Sequence, residues 1–185
     1  MNPQKNIIEV IFMQLPIKAC RLYIDVFNER MAESMYINSL DGDNRRFVPD
    51  EVFETIGAAR ETLAWLISLY ENSKAPQVYP IFLNDGRHIG HVQAVPIDDR
   101  WEIGYHVAEP FTGNGYATEA VGAFLPPIMR RLGISRIYGI CHIENAASRR
   151  VLEKCGFTIE YEGIAHNMGA NYHICRYIRF CECDN

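Results

Sequence analysis

The chain has no apolar run approaching the ~18 residues that a membrane-crossing helix requires, and its start, MNPQKNIIEV, has no basic segment followed by a long apolar one. A spanning helix and a secretory leader are therefore not expected, and the cytoplasm is the expected location. No Cys-x-x-Cys pair occurs among the six cysteines, Cys20, Cys141, Cys155, Cys175, Cys181 and Cys183. A chain of 185 residues needs no disulfide staples, so all six read as reduced thiols. Positive charge is in the minority, with 18 Lys and Arg against 23 Asp and Glu and a net charge of -5. That balance argues against nucleic acid and anionic membranes as partners and mildly favours a cationic one. No repeat, low-complexity tract or Pro/Gly/Ser linker divides the sequence, so residues 1–185 read as a single domain. His88 with His91, and His173 with Cys175, lack the further ligands of a four-ligand zinc site, so no metal is expected.

What is present alternates between strand and helix periods. Arg21 to Ile24 reads as a short strand, and Phe27, Met31 and Met35 then recur at helical spacing. Leu40 to Pro49 carries turn formers and charges without a periodic apolar face and reads as a loop. Thr55 can cap a helix whose stripe is Leu63, Leu66, Ile67 and Tyr70, a stripe that reads as core. Val78 to Leu83 and Ile89 to Val95 flank Asn84-Asp85-Gly86 as an antiparallel hairpin, and Trp101 to Val107 alternates as another strand. A helix is expected to begin at Tyr116 and to end or kink at Pro126-Pro127, because proline removes an amide donor and crowds the preceding turn. Arg136 to Cys141 reads as a strand, Asn145 to Cys155 as a helix stopped by Gly156, and Ile174 to Phe180 as a terminal strand.

The passage from strand through Thr112-Gly113-Asn114-Gly115 into a helix is the central feature. Glycines at 113 and 115 permit positive φ and close approach of a ligand, and the helix start offers free N–H groups to phosphate. A plain structural turn is the alternative. The P-loop is excluded because Tyr116-Ala117 stands where Lys-Ser or Lys-Thr is required. A dinucleotide fingerprint fits poorly, with Thr118 in place of a third small residue and no acidic residue near Ile134-Ser135-Arg136; Arg136 keeps an NADP-dependent reductase as a distant alternative.

Three separated segments then agree: Glu102-Ile103-Gly104-Tyr105; Thr112 to Ala120; and Asn145 to Ser148 with Val151-Leu152-Glu153-Lys154-Cys155-Gly156-Phe157. In this order they resemble the coenzyme A motifs of the GNAT acetyltransferases. The hairpin at Asp85-Gly86 and the helix from Thr55 resemble the ribosomal-protein N-terminal acetyltransferase branch. The resemblance runs from about Arg21 to the end. It implies an α/β (α+β) fold with a mixed, mostly antiparallel central sheet of about six to seven strands flanked by about four helices. It also implies acetyl-CoA as cosubstrate, with no metal, and acetyl transfer to an amine by direct attack in a ternary complex.

By the same resemblance, backbone at Val107 holds the pantetheine arm and the oxyanion, while Thr112 and the amides of Gly113, Asn114, Gly115, Tyr116 and Ala117 cradle the pyrophosphate. Asn145 reaches the pantetheine. Arg149, four residues later on one helical face, meets a coenzyme phosphate. The sequence departs from the family at Thr112, where Arg or Gln is usual, and at Leu152, where many members place a tyrosine that protonates the leaving thiolate. Ser148 is the candidate in its stead, against the plainer reading of a serine bonding backbone in a first helical turn. Glu102 is the candidate base, drawing the amine's proton through water, against a glutamate merely on the sheet surface. His106 lies ~13 Å along the strand from it, too far for a direct dyad, and reads as lining the cleft. Cys141-His142 are strand neighbours pointing to opposite faces, so Cys141 reads as core rather than as an acyl carrier.

Arg45-Arg46 and the segment from Glu160 to Asn171 are expected to line the acceptor side; two adjacent arginines fit an acidic acceptor or simply a solvated loop. A protein N-terminus, a lysine and a small-molecule amine stay open as acceptors. The other class of reading is a binding module that keeps coenzyme A and has lost transfer. Monomer and homodimer both stay open, with the terminal strand as a possible edge.

Overall fold

The computed structural model describes residues 13–167 and 170–181. One eight-stranded sheet runs through the molecule in the order β1-β2-β3-β4-β5-β6-β8-β7. Its strands are β1 Ile17–Lys18, β2 Leu22–Ile24, β3 Gln77–Leu83, β4 His88–Ile97, β5 Arg100–Val107, β6 Arg136–His142, β7 Thr158–Asn167 and β8 Ala170–Phe180. Among the described residues five α-helices accompany it: α1 Ala32–Ser39, α2 Gly42–Phe47, α3 Ile56–Leu69, α4 Tyr116–Leu132 and α5 Ala146–Lys154. The mixed, mostly antiparallel α/β architecture is as expected, with one strand and one helix more than the upper expectation.

Every neighbouring pair is antiparallel except β5 and β6. That parallel pair is joined only at Glu102–Tyr138 and Ile103–Gly139; no further ladder pair links the two strands, and the sheet opens into a split there. Alternation sets what each face carries. Tyr79 and Ile81 of β3, Val92 and Ala94 of β4, and Ile103 of β5 pack in one core with Phe124, Leu125 and Ile128 of α4 and Leu152 of α5. On the opposite face Val78 packs with Phe27, Met31, Leu63 and Leu66 beneath α1 and α3.

Two sequence expectations are corrected, and two strands stand where the sequence showed none. The stretch from Leu40 to Pro49 is not a loop throughout: Asp41 accepts the Asn44 N–H at 2.8 Å and caps α2. Six residues are too few to show a period, but a capping aspartate needs none. Second, α4 runs through Pro126 and Pro127. The carbonyls that those prolines leave unpaired, on Gly122 and Ala123, lie on the exposed and half-exposed side, while Ala120, Val121, Phe124, Leu125, Ile128 and Met129 stay buried. Water can satisfy such carbonyls, and burial at about 1.5–3 kcal/mol per large side chain outweighs about 3 kcal/mol for a proline. The helix stops instead at Gly133, in the left-handed region at φ 64°. Third, β7 begins two residues before the segment read only as lining the acceptor side; from Thr158 to Ala165 its residues are exposed except the half-buried Gly163 and Ala165, and its register shifts between Ile159 and Tyr161, so no buried face marks it. Fourth, the two-residue β1 is too short to leave a pattern.

Thr55 caps α3 as expected, its Oγ1 accepting the Ala58 N–H at 3.1 Å. Gly156, at φ 77°, closes α5 with the Phe157 N–H returning to the Leu152 carbonyl. Cys20, Cys141, Cys155, Cys175 and Cys181 are free thiols, and Cys183 lies outside the described residues.

Candidate active site

The glycine turn follows a short helical turn, Glu109–Phe111, at the end of β5. Gly113 and Gly115 have φ of 76° and 79°, a conformation in which a side chain would be strained. Thr112 and Asn114 are spent on the turn itself. The Thr112 hydroxyl donates to the Glu109 carbonyl, and the Asn114 amide donates to the carbonyls of Phe111 and Thr112. Among the described residues, no hydrogen bond engages the backbone N–H groups of Gly113, Asn114, Gly115, Tyr116 or Ala117. Five successive unspent donors at the N-terminus of a seventeen-residue helix make an anion cradle, which fits a pyrophosphate.

Sequence reasoning missed what holds this cradle. Arg21, in the turn before β2, donates Nε to Glu119 at 2.7 Å and Nη1 to the Asn114 carbonyl at 3.0 Å, and stacks 4.8 Å from the centre of the Tyr116 ring. Its backbone N–H also meets Glu119, at 2.6 Å. A residue 98 positions from its partner leaves no local signal.

The split between β5 and β6 lies beside the cradle. The Ala108 N–H is bonded to the Ile89 carbonyl on the β4 side. Alternate residues of a strand turn their amides to opposite neighbours, so the Val107 and Tyr105 N–H groups face the split. Across it stands α5, whose N-cap Asn145 accepts the Ser148 N–H at 3.0 Å. The Ser148 hydroxyl is 2.9 Å from the Tyr105 hydroxyl, which also donates to the Ser148 carbonyl at 3.0 Å. A carbonyl only accepts, so with the tyrosine proton on it the serine hydroxyl is the donor to Tyr105 Oη. Burial raises the Tyr105 pKa above its ordinary value, against the Ser148 hydrogen bond. Cys141 lies close by; burial and Cys175 push its thiol up to about 11, Ser148 pulling the other way. Such a thiol stays protonated at neutral pH.

Of the other expected residues, Arg149 turns Nε to the Tyr177 hydroxyl on β8 at 3.3 Å. Leu152 is buried against Gly139, where a Cβ would come within 2.5 Å of it, so this position supplies packing and no proton. Tyr105 was read as part of a strand and of the Glu102–Tyr105 motif but given no role of its own, and its approach to Ser148 from 43 residues away was not foreseeable.

Glu102, His106, His91 and Gln93 lie on the opposite face of β4 and β5. Glu102 pairs with Val95 on one side and Tyr138 on the other, where the two strands still join. Burial raises its pKa above its ordinary value, Arg100 and Arg176 opposing and Asp98 reinforcing. His106 Nε2 is 2.7 Å from Asp41 Oδ2. Glu51 accepts from Gln93 Nε2 at 2.9 Å and lies 3.3 Å from His91 Nε2. Burial pushes the Glu51 carboxyl up, but bonding by His91 and Gln93 brings it below its ordinary value. His88 belongs elsewhere, between the Ser34 hydroxyl, the Asn38 amide and the Gly90 carbonyl; burial and then His91 lower it to about 4. Arg45 and Arg46, candidates for an acidic acceptor, meet Glu54 at 3.7 Å and Glu144 at 2.6 Å.

Residues 8–158 match a family model described as the acetyltransferase (GNAT) domain. The chain belongs to the GNAT acetyltransferase family. This GNAT chain is 27% identical over 143 residues, 76% of its length and 81% of the relative's, to the uncharacterized N-acetyltransferase YnaD of Bacillus subtilis (strain 168). A GNAT-family acetyltransferase from Bacillus anthracis superposes with a TM-score of 0.77 at 25% identity, covering 90% of this chain and 98% of that one. RimL, a ribosomal L7/L12 alpha-N-protein acetyltransferase solved in complex with coenzyme A, superposes with a TM-score of 0.78 at 21% identity, covering 91% and 99%. The protein is thus an acyltransferase with the N-acetyltransferase fold.

Proposed function

We propose that the protein moves an acetyl group from acetyl-CoA to a primary amine by direct attack in a ternary complex. The observation that carries this reading is the row of five unspent N–H groups from Gly113 to Ala117 opening beside the split that Val107, Tyr105 and Ser148 line. In this reading the cradle holds the pyrophosphate, the Val107 amide holds the pantetheine and then the developing oxyanion, and Asn145 guides the arm toward Ser148.

The amine must arrive unprotonated, because an α-amine of pKa ~8 or a lysine-type amine of ~10.4 is mostly charged at neutral pH. Its proton leaves toward the face opposite α4, where Glu102 draws it through water; the raised pKa of Glu102 suits it to that role. Ser148, joined to Tyr105, serves the departing sulfur. A thiol of ordinary pKa ~8.5 is a stronger acid than either hydroxyl, so the pair passes on a proton from the acylated nitrogen rather than giving up its own.

Thr112, spent on the turn, adds no cation to the cradle, and Arg149 is placed to do so only by leaving Tyr177. The acceptor class comprises a protein N-terminus, a lysine or a small-molecule amine. Likeness along nearly the whole chain to the L7/L12 enzyme supports the N-terminal branch. The enzyme works as a single domain, monomer or homodimer, in the cytoplasm, needing no metal, nucleic acid or membrane; among the described residues no helix is long and apolar enough to cross one.

The test is a thermal-shift titration with acetyl-CoA, coenzyme A and NADPH, followed by thiol release against peptide and small-molecule amines. Acetyl-CoA at a hundredfold excess over its Kd adds ~2.7 kcal/mol of stability. Binding without release on every amine favours the non-catalytic module, and a shift by NADPH alone favours the reductase.

A further inference from the structure

The segment from Asp41 to Glu51 crosses the face of the sheet opposite α4. At one end Asp41 meets His106 on β5, and at the other Glu51 meets His91 and Gln93 on β4. Between them Phe47 lies against His142 with ring centres 6.0 Å apart, and Arg46 meets Glu144, so the segment also reaches the β6 side of the split. It walls the side from which an amine approaches.

Under that wall His106 is held in one tautomer. A carboxylate accepts and cannot donate, so the proton on the Asp41 side belongs to Nε2, and Nδ1 carries the lone pair. Among the described residues Nδ1 has no partner. The buried side-chain nitrogen without one is Arg131 Nε, so His106 Nδ1 is reachable from solvent. His106 precedes Val107, the residue whose amide faces the split, whereas Glu102 stands ~13 Å away along the strand. Gly104, between them, leaves the space that Gln93 fills: a Cβ there would come within 2.6 Å of the Gln93 amide.

We infer that His106, oriented by Asp41, is the group that takes the proton of the incoming ammonium, with His91 and Glu51 completing a subsite for a cationic primary amine. The inference rests on the acetyl-transfer reading. One proton leaves the ammonium for Nδ1. The nitrogen pair then forms the N–C bond, the C–S bond breaks, a second N–H proton ends on the departing sulfur, and His106 returns its proton to water, beyond which Glu102 acts. The groups facing His106 are Asp41 at the start of α2, Glu51 after it, and His91 and His88 on β4. Burial, then His91, lowers the His106 pKa and Asp41 and Glu51 oppose this, which keeps the ring neutral and able to accept at physiological pH.

Imidazole NMR of the full chain with coenzyme A, combined with pH profiles of kcat/KM for the best amine, tests this. The expected His106 tautomer is Nε2–H, with an acid limb below pH ~6.5. His106→Asn is expected to lower kcat/KM about 10²-fold or more with the coenzyme Kd unchanged, and His106→Gln to behave alike should Asn disturb folding. Asp41→Asn still caps α2 but removes the charge, so the limb moves to lower pH and the plateau falls; a merely structural role would move the melting temperature and leave the limb in place. An Nδ1–H tautomer, activity within threefold in His106→Asn, or loss of the limb in Glu102→Gln alone overturns the inference while acetyl transfer stands. Absence of wild-type turnover with every amine overturns the reading beneath it as well.

Discussion

The two sides of the split are built from different materials. The α4 side offers backbone: five amides left free because two glycines hold φ near 76° and 79° and a helix begins there. The opposite side offers side chains, brought together from residues 41, 51, 91, 93, 102 and 106 by the Asp41–Glu51 segment and the β4–β5 hairpin, which are distant in sequence. A backbone site depends on local conformation and tolerates changes at neighbouring side chains. A side-chain site depends on what tertiary packing assembles, and it can change specificity without touching the first.

The largest effect expected is a matter of pH and lies at His88, a neighbour of the side-chain half. His88 has a folded pKa of about 4 against 6.5 unfolded, so between those values the unfolded chain binds the extra proton. Stability is then full above pH 6.5 and falls as pH drops toward 4, by on the order of 3 kcal/mol. Chemical denaturation at a series of pH values checks this, and His88→Asn should flatten the dependence while lowering stability at pH 7.

Next comes the backbone half. Gly115→Val forces a β-branched residue to positive φ at the cradle. Coenzyme A affinity measured by calorimetry should weaken about a hundredfold, near 2.7 kcal/mol. Asp41→Asn should leave that affinity within about twofold; a larger loss would mean that the two halves are one unit.

Ser148→Ala is expected to lower kcat about tenfold, the worth of one hydrogen bond at ~1.4 kcal/mol, with KM for acetyl-CoA little changed. Tyr105→Phe should do much the same, and the double variant should fall short of the sum because the two hydroxyls are bonded to each other. Thr55→Ala, remote from both halves, should cost ~1 kcal/mol of stability at the α3 cap and leave kcat/KM alone.

The same contrast explains what was legible in the sequence. Glycine spacing, the Thr55 cap, the Gly156 stop and the hairpin at Asp85-Gly86 are local signals, and each stands where it was read. The split was not read at all, since one parallel pair among antiparallel ones has no local signature. Arg21 at the cradle, Tyr105 beside Ser148 and Asp41 beneath His106 lie 98, 43 and 65 positions from their partners, beyond any periodicity. The prolines of α4 misled because their cost is local while the burial that overrides it is not.

The measurement that bears most directly on transfer across this split is initial velocity with acetyl-CoA and a primary amine varied together. Intersecting double-reciprocal lines, with no acetyl group left on the protein, are the result that direct attack in a ternary complex predicts. Parallel lines with acetylated Cys141, or no amine-dependent thiol release at all, would contradict it.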